Sequence, residues 1–226
     1  MTTTRAGGRD MRISPAPTFW DVDTQYDFIM PGGRLPIPGA EGILPNLARL
    51  TRYARERGFR VMGSVDHHSP DDPELSDDPD YAETFPPHCL AGTPGCEKVP
   101  ETQPREPVWV PSAREDSDDL ARRLLDHGGE VYLQKRWFDA FTNPNLETVL
   151  ETVRPSHVVV YGVALDVCDA HAIEGFLRRG GTRISLVLDA TRAIDQDRGD
   201  ALVAGWTDSG VRVLSTDDVL AGATEG

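Results

Sequence analysis

Four reactive side chains stand where predicted β-strands end or where the next helix begins. Each follows a short apolar run bounded by turn residues: Asp23, Asp66, Lys135 and Cys168. Because the carboxyl ends of parallel strands line one edge of a sheet, where ligand crevices form, we expect these side chains to converge. A free cysteine by itself is usually a small buried hydrophobe. The convergence favours a catalytic thiol instead.

The chemistry that these residue types support is nucleophilic catalysis by Cys168. A thiol at a helix N-terminus beside a cation has a lowered pKa and attacks as a thiolate. Asp23 is the candidate base, Lys135 supplies the positive charge, and the helix adds its dipole. The backbone N–H groups of Cys168 and Ala164 are candidates for an oxyanion hole. Taken singly, Asp23 also fits a turn residue and Lys135 a solvated lysine at a strand end.

Residues of metal-ligand type follow the strand that ends at Asp66. Asp66 and His68 are separated by one residue, so both can reach one ion, and His88 returns in the segment FPPHC. Mixed carboxylate and imidazole ligands suit zinc, with iron or manganese as alternatives. A metal with an open position would orient a substrate atom or a water. Because motif matches carry false positives, each histidine could also be structural.

The elements that must position these residues alternate between apolar runs and helix-length amphipathic segments. This alternation predicts an α/β fold with three αβα layers and a Rossmann-like, six-stranded parallel sheet covered on both faces. The predicted strands are Thr18–Asp23, Arg60–Asp66, Glu130–Lys135, His157–Val163, Arg183–Asp189 and Val211–Leu214. The predicted helices are Ala40–Gly58, Ser117–His127, Asn145–Val153, Val167–Arg179 and Asp197–Ser209.

The rest of the chain is predicted to fall into distinct regions. Residues 1–18 lack hydrophobic periodicity and predict a disordered leader, whereas residues 19–220 predict a single domain. A long insert rich in Pro, Asp and Gly spans about 69–112. Irregular segments of that length are usually functional or disordered. Since this insert begins beside a candidate metal ligand, we expect it to border the active site.

Composition bounds the class of protein. The 226 residues carry a formal net charge of −14, with 38% hydrophobic and 27% charged residues, which is ordinary for a soluble globular protein. The acidic balance disfavours nucleic acid and anionic membranes as partners, and no apolar run approaches the ~20 residues of a membrane span. Three cysteines form no disulfide framework and fit a reducing compartment. We expect a cytoplasmic protein.

Five segments, in order along nearly the whole chain, carry a family resemblance. They read DVDTQYDF, VDHH, FPPHCLAGTPG, LQKRWFDAFTNP and YGVALDVCDAH. Together they resemble the nicotinamidase/isochorismatase-like cysteine hydrolases. The resemblance implies a catalytic triad of Asp23, Lys135 and Cys168, and a thioester acyl-enzyme. It also implies a cis peptide bond before Ala164.

The resemblance further implies a small carboxamide substrate, with nicotinamide as the leading candidate. The ring would lie between Phe28 and Phe85, with Trp137 and Phe138 near by. The latter two could equally be aromatic residues of a subunit interface, and we expect a homo-oligomer, a dimer or tetramer. The alternatives are a carbamoyl or lactam substrate, an isochorismatase-type vinyl-ether hydrolase, and a non-enzymatic binding module that kept the fold.

The metal motif departs from that of the nicotinamidases at one place. Those enzymes usually carry a further histidine shortly after Asp-x-His, whereas this chain reads SPDDPE. Either Asp72 or Glu74 supplies an oxygen ligand instead, or the metal site is incomplete.

Overall fold

The structure, a computed structural model, describes residues 16–225 and contains one parallel β-sheet. Of the predicted leader, residues 1–15 lie outside the described residues, and Thr18 already belongs to the first strand. The strands are β1 (Thr18–Val22), β2 (Val61–Asp66), β3 (Val108–Val110), β4 (Val131–Lys135), β5 (His157–Val163), β6 (Arg183–Arg192) and β7 (Arg212–Leu214). Their order across the sheet is β3-β4-β2-β1-β5-β6-β7.

The sheet has seven strands, so the prediction of six was wrong by one edge strand. All six predicted strands are present, and the addition is β3, which pairs with β4 alone. Its three residues lie between Pro107 and Pro111 and carry no readable alternation. Proline lacks the N–H that a central strand must donate and is therefore confined to edges and strand ends. Because two prolines flank these three residues, the sequence pattern did not indicate a strand. The same prolines fit the edge position of β3.

The five predicted helices are confirmed to within a few residues at their ends, and two short ones, α1 and α7, were not predicted. The helices are α1 (Tyr26–Ile29), α2 (Leu44–Glu56), α3 (Ser117–Asp126), α4 (Leu146–Val153), α5 (Cys168–Arg179), α6 (Gln196–Asp208) and α7 (Thr216–Leu220). Helices of four or five residues are too short to show a hydrophobic period. Within the described part of the chain, no helix combines the length and apolar character needed to cross a membrane.

Helices cover both faces of the sheet, which confirms the predicted three-layer αβα fold. On one face, Trp20, Leu133 and Val160 form a buried cluster with side chains of α3, α4, α5 and α6. On the other face, Phe19 and Val159 pack in a cluster with side chains of α2 and α7. Burying one such large apolar side chain stabilises the fold by roughly 1.5–3 kcal/mol. The central strands are therefore apolar on both faces, and polar chemistry is left to their ends.

One buried histidine should make stability depend on pH. In His157, at the start of β5, Nδ1 lies 3.2 Å from the Thr224 carbonyl oxygen and Nε2 2.9 Å from Ser185 Oγ. Burial, with a smaller contribution from Arg183, lowers the pKa of His157 to about 4. In the unfolded chain, His157 binds a proton as the pH falls below its ordinary pKa of 6.5. In the folded protein, His157 does not bind this proton until the pH falls to about 4. Stability contributed by this residue is therefore lost as the pH falls through that window.

The expected loss between pH 7 and pH 4.5 is on the order of 2 kcal/mol from this group. Urea unfolding of wild type and His157→Gln at both pH values measures it. Other titrating groups act alike in the two proteins, so the free energy of unfolding of the variant should fall less. Equal losses in both proteins would show that His157 does not titrate differently on folding.

Candidate active site

The four predicted strand-end residues come together at the carboxyl edge of the sheet. Asp23 directly follows β1, Asp66 and Lys135 are the last residues of β2 and β4, and Cys168 is the first residue of α5, after β5. These strands are neighbours in the order β4-β2-β1-β5. In the β2–β4 register, Asp66 and Lys135 are direct partners. The convergence predicted from the strand ends is confirmed.

Lys135 contacts each of the other three residues of this group. Its Nζ lies 3.0 Å from Asp23 Oδ2 and 3.6 Å from Cys168 Sγ, and it also donates a hydrogen bond to Asp66 Oδ1. The side chain is fully buried. Burial alone would lower the pKa of Lys135, but the carboxylates of Asp23 and Asp66 outweigh it and raise that pKa well above its usual value. The residue is a fixed cation between a carboxylate and a thiol.

Asp23 is held in one orientation by its surroundings. Its φ of 46° lies in the left-handed region, which aspartate tolerates better than most residues. Its Oδ1 accepts a hydrogen bond from Ser64 Oγ at 2.8 Å, and its N–H donates to the Ser64 carbonyl at 3.2 Å. Burial raises the pKa of Asp23 despite the opposing charge of Lys135. A carboxylate with a raised pKa can take up and release a proton during a reaction.

The thiol of Cys168 corrects one expectation from the sequence. Its pKa is raised well above the ordinary value rather than lowered. Burial is the largest cause, and the charge of Lys135 does not offset it because the carboxylates of Asp23 and Asp66 also oppose a thiolate. The sequence showed the helix start but not the desolvation. This direction favours the protonated thiol, so catalysis requires a base that removes its proton.

The backbone from Val163 to Cys168 forms the turn between β5 and α5. The peptide bond between Val163 and Ala164 is cis, as the resemblance implied. The Ala164 carbonyl accepts hydrogen bonds from the N–H groups of Val167 and Asp169, each at 3.0 Å. Cys168 is the first residue of α5, where an N–H has no partner within the helix. This position leaves its amide available to a ligand.

Four buried side chains beside the triad could hold a divalent metal. One ligand atom from each of Asp66, His68, Glu74 and His88 lies within 4.8 Å of all the others. His88 Nε2 is 3.5 Å from both Asp66 Oδ2 and Glu74 Oε1, and His68 Nε2 is 3.7 Å from Asp66 Oδ2. The carboxylate and imidazole donors are those that zinc and other first-row divalent metals accept.

Unpaired polar atoms show that these residues fit a cation. Within the described residues, the buried atoms His68 Nε2, His88 Nε2 and Glu74 Oε2 have no hydrogen-bond partner. Such atoms are costly to bury unless an ion or water satisfies them. Burial would lower the pKa of His88, yet the neighbouring carboxylates of Asp66 and Glu74 raise it to about 10. The carboxylates thus attract positive charge to the place that a metal would take.

The structure separates the two acidic residues between which the sequence left a choice. Glu74 belongs to the metal-ligand group. Asp72 does not, because its Oδ2 faces His68 Nδ1 at 3.1 Å, on the ring edge opposite Nε2. The sequence could not distinguish Asp72 from Glu74, because in an irregular loop the spacing of two residues does not determine where each side chain points.

A narrow apolar cavity opens onto Cys168 and the metal-ligand group. Three of the four aromatic residues predicted to contact the substrate line it: Phe28, Phe85 and Phe138. Trp137 is not among the lining residues and packs on Phe138, with 4.7 Å between ring centroids. Sequence reasoning missed the aliphatic part of the wall, whose apolar residues look like ordinary core: Leu35, Ile37, Val163, Val167 and Ile194.

Two further side chains that sequence reasoning did not place at the site hold its loops in position. Gln25 pairs with the backbone of Asp66, donating to its carbonyl at 2.8 Å and accepting from its N–H at 2.7 Å. Asp27 Oδ2 accepts from the Cys89 N–H at 2.8 Å. A Cβ at Gly95 would lie 2.2 Å from the same oxygen, so glycine is required there. These contacts fix the loop that carries the metal-ligand histidines against α1.

As a class, the fold and the site define an α/β enzyme with reactive groups at the carboxyl edge of a parallel sheet. The sequence matches the family model described as Isochorismatase domain over residues 21–218. Because this match spans most of the chain, the protein belongs to the isochorismatase family.

Individual relatives are more distant. A probable inactive nicotinamidase of Arabidopsis thaliana is 25% identical over 193 residues, which cover 84% of this chain and 88% of the relative. The nicotinamidase/pyrazinamidase of Mycobacterium tuberculosis is 29% identical over 185 residues, which cover 78% and 86% respectively.

Solved structures show the same fold. The N-carbamoylsarcosine amidase of Thermoplasma acidophilum aligns with a TM-score of 0.67 and 26% identity, over 89% of this chain and 97% of that one. A pyrazinamidase of Pyrococcus horikoshii in complex with zinc aligns with a TM-score of 0.68 and 22% identity, over 89% and 99%. Together these findings support a hydrolase that acts on amide C–N bonds.

Proposed function

We propose that this protein is a cysteine amidohydrolase that cleaves a small, uncharged carboxamide to the acid and ammonia, with nicotinamide as the leading substrate. One observation carries the proposal: Lys135 Nζ lies 3.0 Å from Asp23 Oδ2 and 3.6 Å from Cys168 Sγ, beside an apolar cavity. A base, a cation and a thiol in contact are what cysteine-based acyl transfer requires. The similarity to nicotinamidases and an amidase supports an amide as substrate.

In the first half of the reaction, Asp23 takes the proton of the Cys168 thiol while Lys135 stabilises the thiolate. Sγ attacks the carbonyl carbon, and the N–H groups of Ala164 and Cys168 meet the charge that develops on the oxygen. The C–N bond then breaks as Asp23 returns the proton to the leaving ammonia. The acyl group remains on Sγ as a thioester.

In the second half, a water gives a proton to Asp23 and attacks the thioester carbonyl. The C–S bond breaks, the proton on Asp23 returns to Sγ, and the acid leaves with the thiol regenerated. Asp66, His68, Glu74 and His88 would hold the divalent metal, with zinc the leading candidate for these nitrogen and oxygen donors. When bound, the metal supplies a Lewis acid for a substrate heteroatom or a water.

The cavity wall favours an uncharged substrate. Of the described residues that line the cavity, none is lysine or arginine, and its only acidic members are Asp66 and Glu74 of the metal-ligand group. Among these described lining residues, His88 is the one candidate cation, and the carboxylates of Asp66 and Glu74 already face it at 3.5 Å. A substrate carboxylate would therefore be poorly paired in this wall, and burying it so is costly. Carbamoyl compounds or vinyl ethers that bear carboxylates are therefore disfavoured. Aromatic faces orient a planar ring, which favours nicotinamide and its analogues.

Ammonia release from a panel of amides tests the substrate class. We expect kcat/KM to be highest for nicotinamide and benzamide, and lower for propionamide and N-carbamoylglycine. Phe85→Ala should reduce kcat/KM for the ring amides by about 10-fold, the value of a lost aromatic contact, and change propionamide less. Trp109→Ala, an exposed aromatic residue on β3, is the matched control and should change neither. If propionamide or N-carbamoylglycine is preferred, or if Phe85→Ala leaves the ranking unchanged, the proposed substrate class is wrong.

A further inference from the structure

Asp72 and Arg136 form an ion pair between the loop that carries His68 and Glu74 and the residue that follows β4. Asp72 Oδ2 lies 3.1 Å from His68 Nδ1 and accepts the Ser69 N–H at 3.0 Å. Its Oδ1 accepts from Arg136 Nε at 2.6 Å, and from Nη2 of the same guanidinium. Every one of these partners approaches the carboxylate of Asp72, whose side chain is completely buried. The residue has no oxygen left to face the metal-ligand group.

The geometry of His68 shows what this link does. The ring uses Nδ1 toward Asp72, and its Nε2 faces Asp66 and Glu74 at 3.7 and 3.9 Å without a hydrogen bond. A carboxylate that accepts from Nδ1–H leaves the lone pair on Nε2, which is the atom a metal would bind. Carboxylates behind a ligand histidine orient the ring and raise its basicity, and their loss costs 10–100-fold in metal affinity.

Arg136 anchors that carboxylate to the catalytic strand end. It directly follows Lys135, and its Nε and Nη2 groups both donate to Asp72 Oδ1. The Ser69 N–H donates to Oδ2, so both oxygens of the carboxylate are held. About half of the Arg136 side chain is exposed, whereas the Asp72 side chain is buried. Asp72 is therefore the residue of this pair that has lost its water. The loop bearing His68 and Glu74 is thereby fixed relative to β4.

We propose that Asp72 is a positioning residue for the metal, which fixes His68 with Nε2 toward the ligand group, and that Arg136 holds Asp72 in place. The inference rests on the metal centre of the proposed function. It assigns Asp72 a role distinct from that of Glu74, which would be a direct ligand. It also gives the insert a defined task, since the segment from His68 to Glu74 supplies two of the four candidate ligands and the support of one of them.

Zinc titration of the metal-free protein against a chromogenic chelator tests the proposal. We expect wild type to bind one zinc per chain, Asp72→Ala to bind it 10–100-fold more weakly, and Asp72→Asn to fall between them. Arg136→Met should weaken binding by a smaller factor than Asp72→Ala. Arg123→Met is the matched control, because Arg123 also forms a 2.7 Å ion pair at similar exposure, with Glu115, and should bind zinc as wild type does.

A second measurement separates positioning from general stability. In ¹⁵N spectra of the zinc-loaded protein, His68 should carry its proton on Nδ1 and bind zinc through Nε2 in wild type, and this single Nδ1–H signal should be lost in Asp72→Ala. If wild type binds zinc and the Asp72 and Arg136 variants bind it equally well, the positioning role is overturned while the metal centre stands. If wild type itself binds no zinc, the metal centre of the proposed function fails, and this inference fails with it. Should Asp72→Ala not fold, Arg136→Met provides the same comparison.

Discussion

Substitution of Cys168 by alanine is expected to abolish carboxamide hydrolysis, lowering kcat by at least about 10⁴-fold. The reason is that no other group among those around Lys135 can form the thioester, and the remaining groups would only polarise the substrate. Ammonia release at saturating amide measures the loss. The side chain is small and lies at a helix start beside a cavity, so the fold should be retained, which thermal unfolding would confirm.

A second cysteine provides the control. Cys96 is half-buried and outside the cavity wall, and Cys96→Ala should keep activity within a few-fold of wild type. Substantial turnover by Cys168→Ala, with loss of turnover in Cys96→Ala, would refute the assignment of the nucleophile.

Substitution of Lys135 by methionine is expected to damage both activity and stability. Methionine keeps the length and apolar stem of lysine but leaves the buried carboxylates of Asp23 and Asp66 without their shared cation. Breaking a buried ion pair from one side typically costs 3–5 kcal/mol. We expect a loss of about that size in the free energy of unfolding, and a fall in kcat/KM of about 10³-fold or more, since both the thiolate and the base lose their partner.

A double variant distinguishes the two effects. Adding Asp23→Asn to Lys135→Met removes one of the two stranded charges and should restore part of the free energy of unfolding, because deleting both partners costs less than deleting one. It should restore no activity, since the base is gone. Retained catalysis in Lys135→Met, or no recovery of stability in the double variant, would contradict the role assigned to Lys135.

The sequence predicted the convergence of the site because chain order and strand ends determine it. Asp23, Asp66, Lys135 and Cys168 each end or follow an apolar run, and parallel strands place such positions on one edge. What the sequence could not supply was the environment of each group. The pKa of Cys168 moves in the opposite direction from the prediction because burial and two nearby carboxylates outweigh one cation and a helix start.

The irregular insert was the least predictable region. Glu74 and Asp72 lie two residues apart in a loop without hydrophobic period, yet one faces the metal-ligand group and the other the back of His68. Loop directions are determined by tertiary contacts such as the Arg136 pair, which have no sequence signature. The edge strand β3 was missed for a related reason, since three residues between prolines show no pattern. The predicted cytoplasmic location, oligomeric state and domain limits stay predictions.

Covalent catalysis by Cys168 should leave a detectable acyl-enzyme. Wild-type protein is mixed with excess nicotinamide, quenched in acid within the first turnover, and digested for peptide mass spectrometry. We expect a nicotinoyl thioester on Cys168, which hydroxylamine removes, and no adduct in Cys168→Ala. Turnover of nicotinamide or another amide of the panel that never leaves an acyl group on the protein, or that leaves it on Cys89 or Cys96, would contradict it.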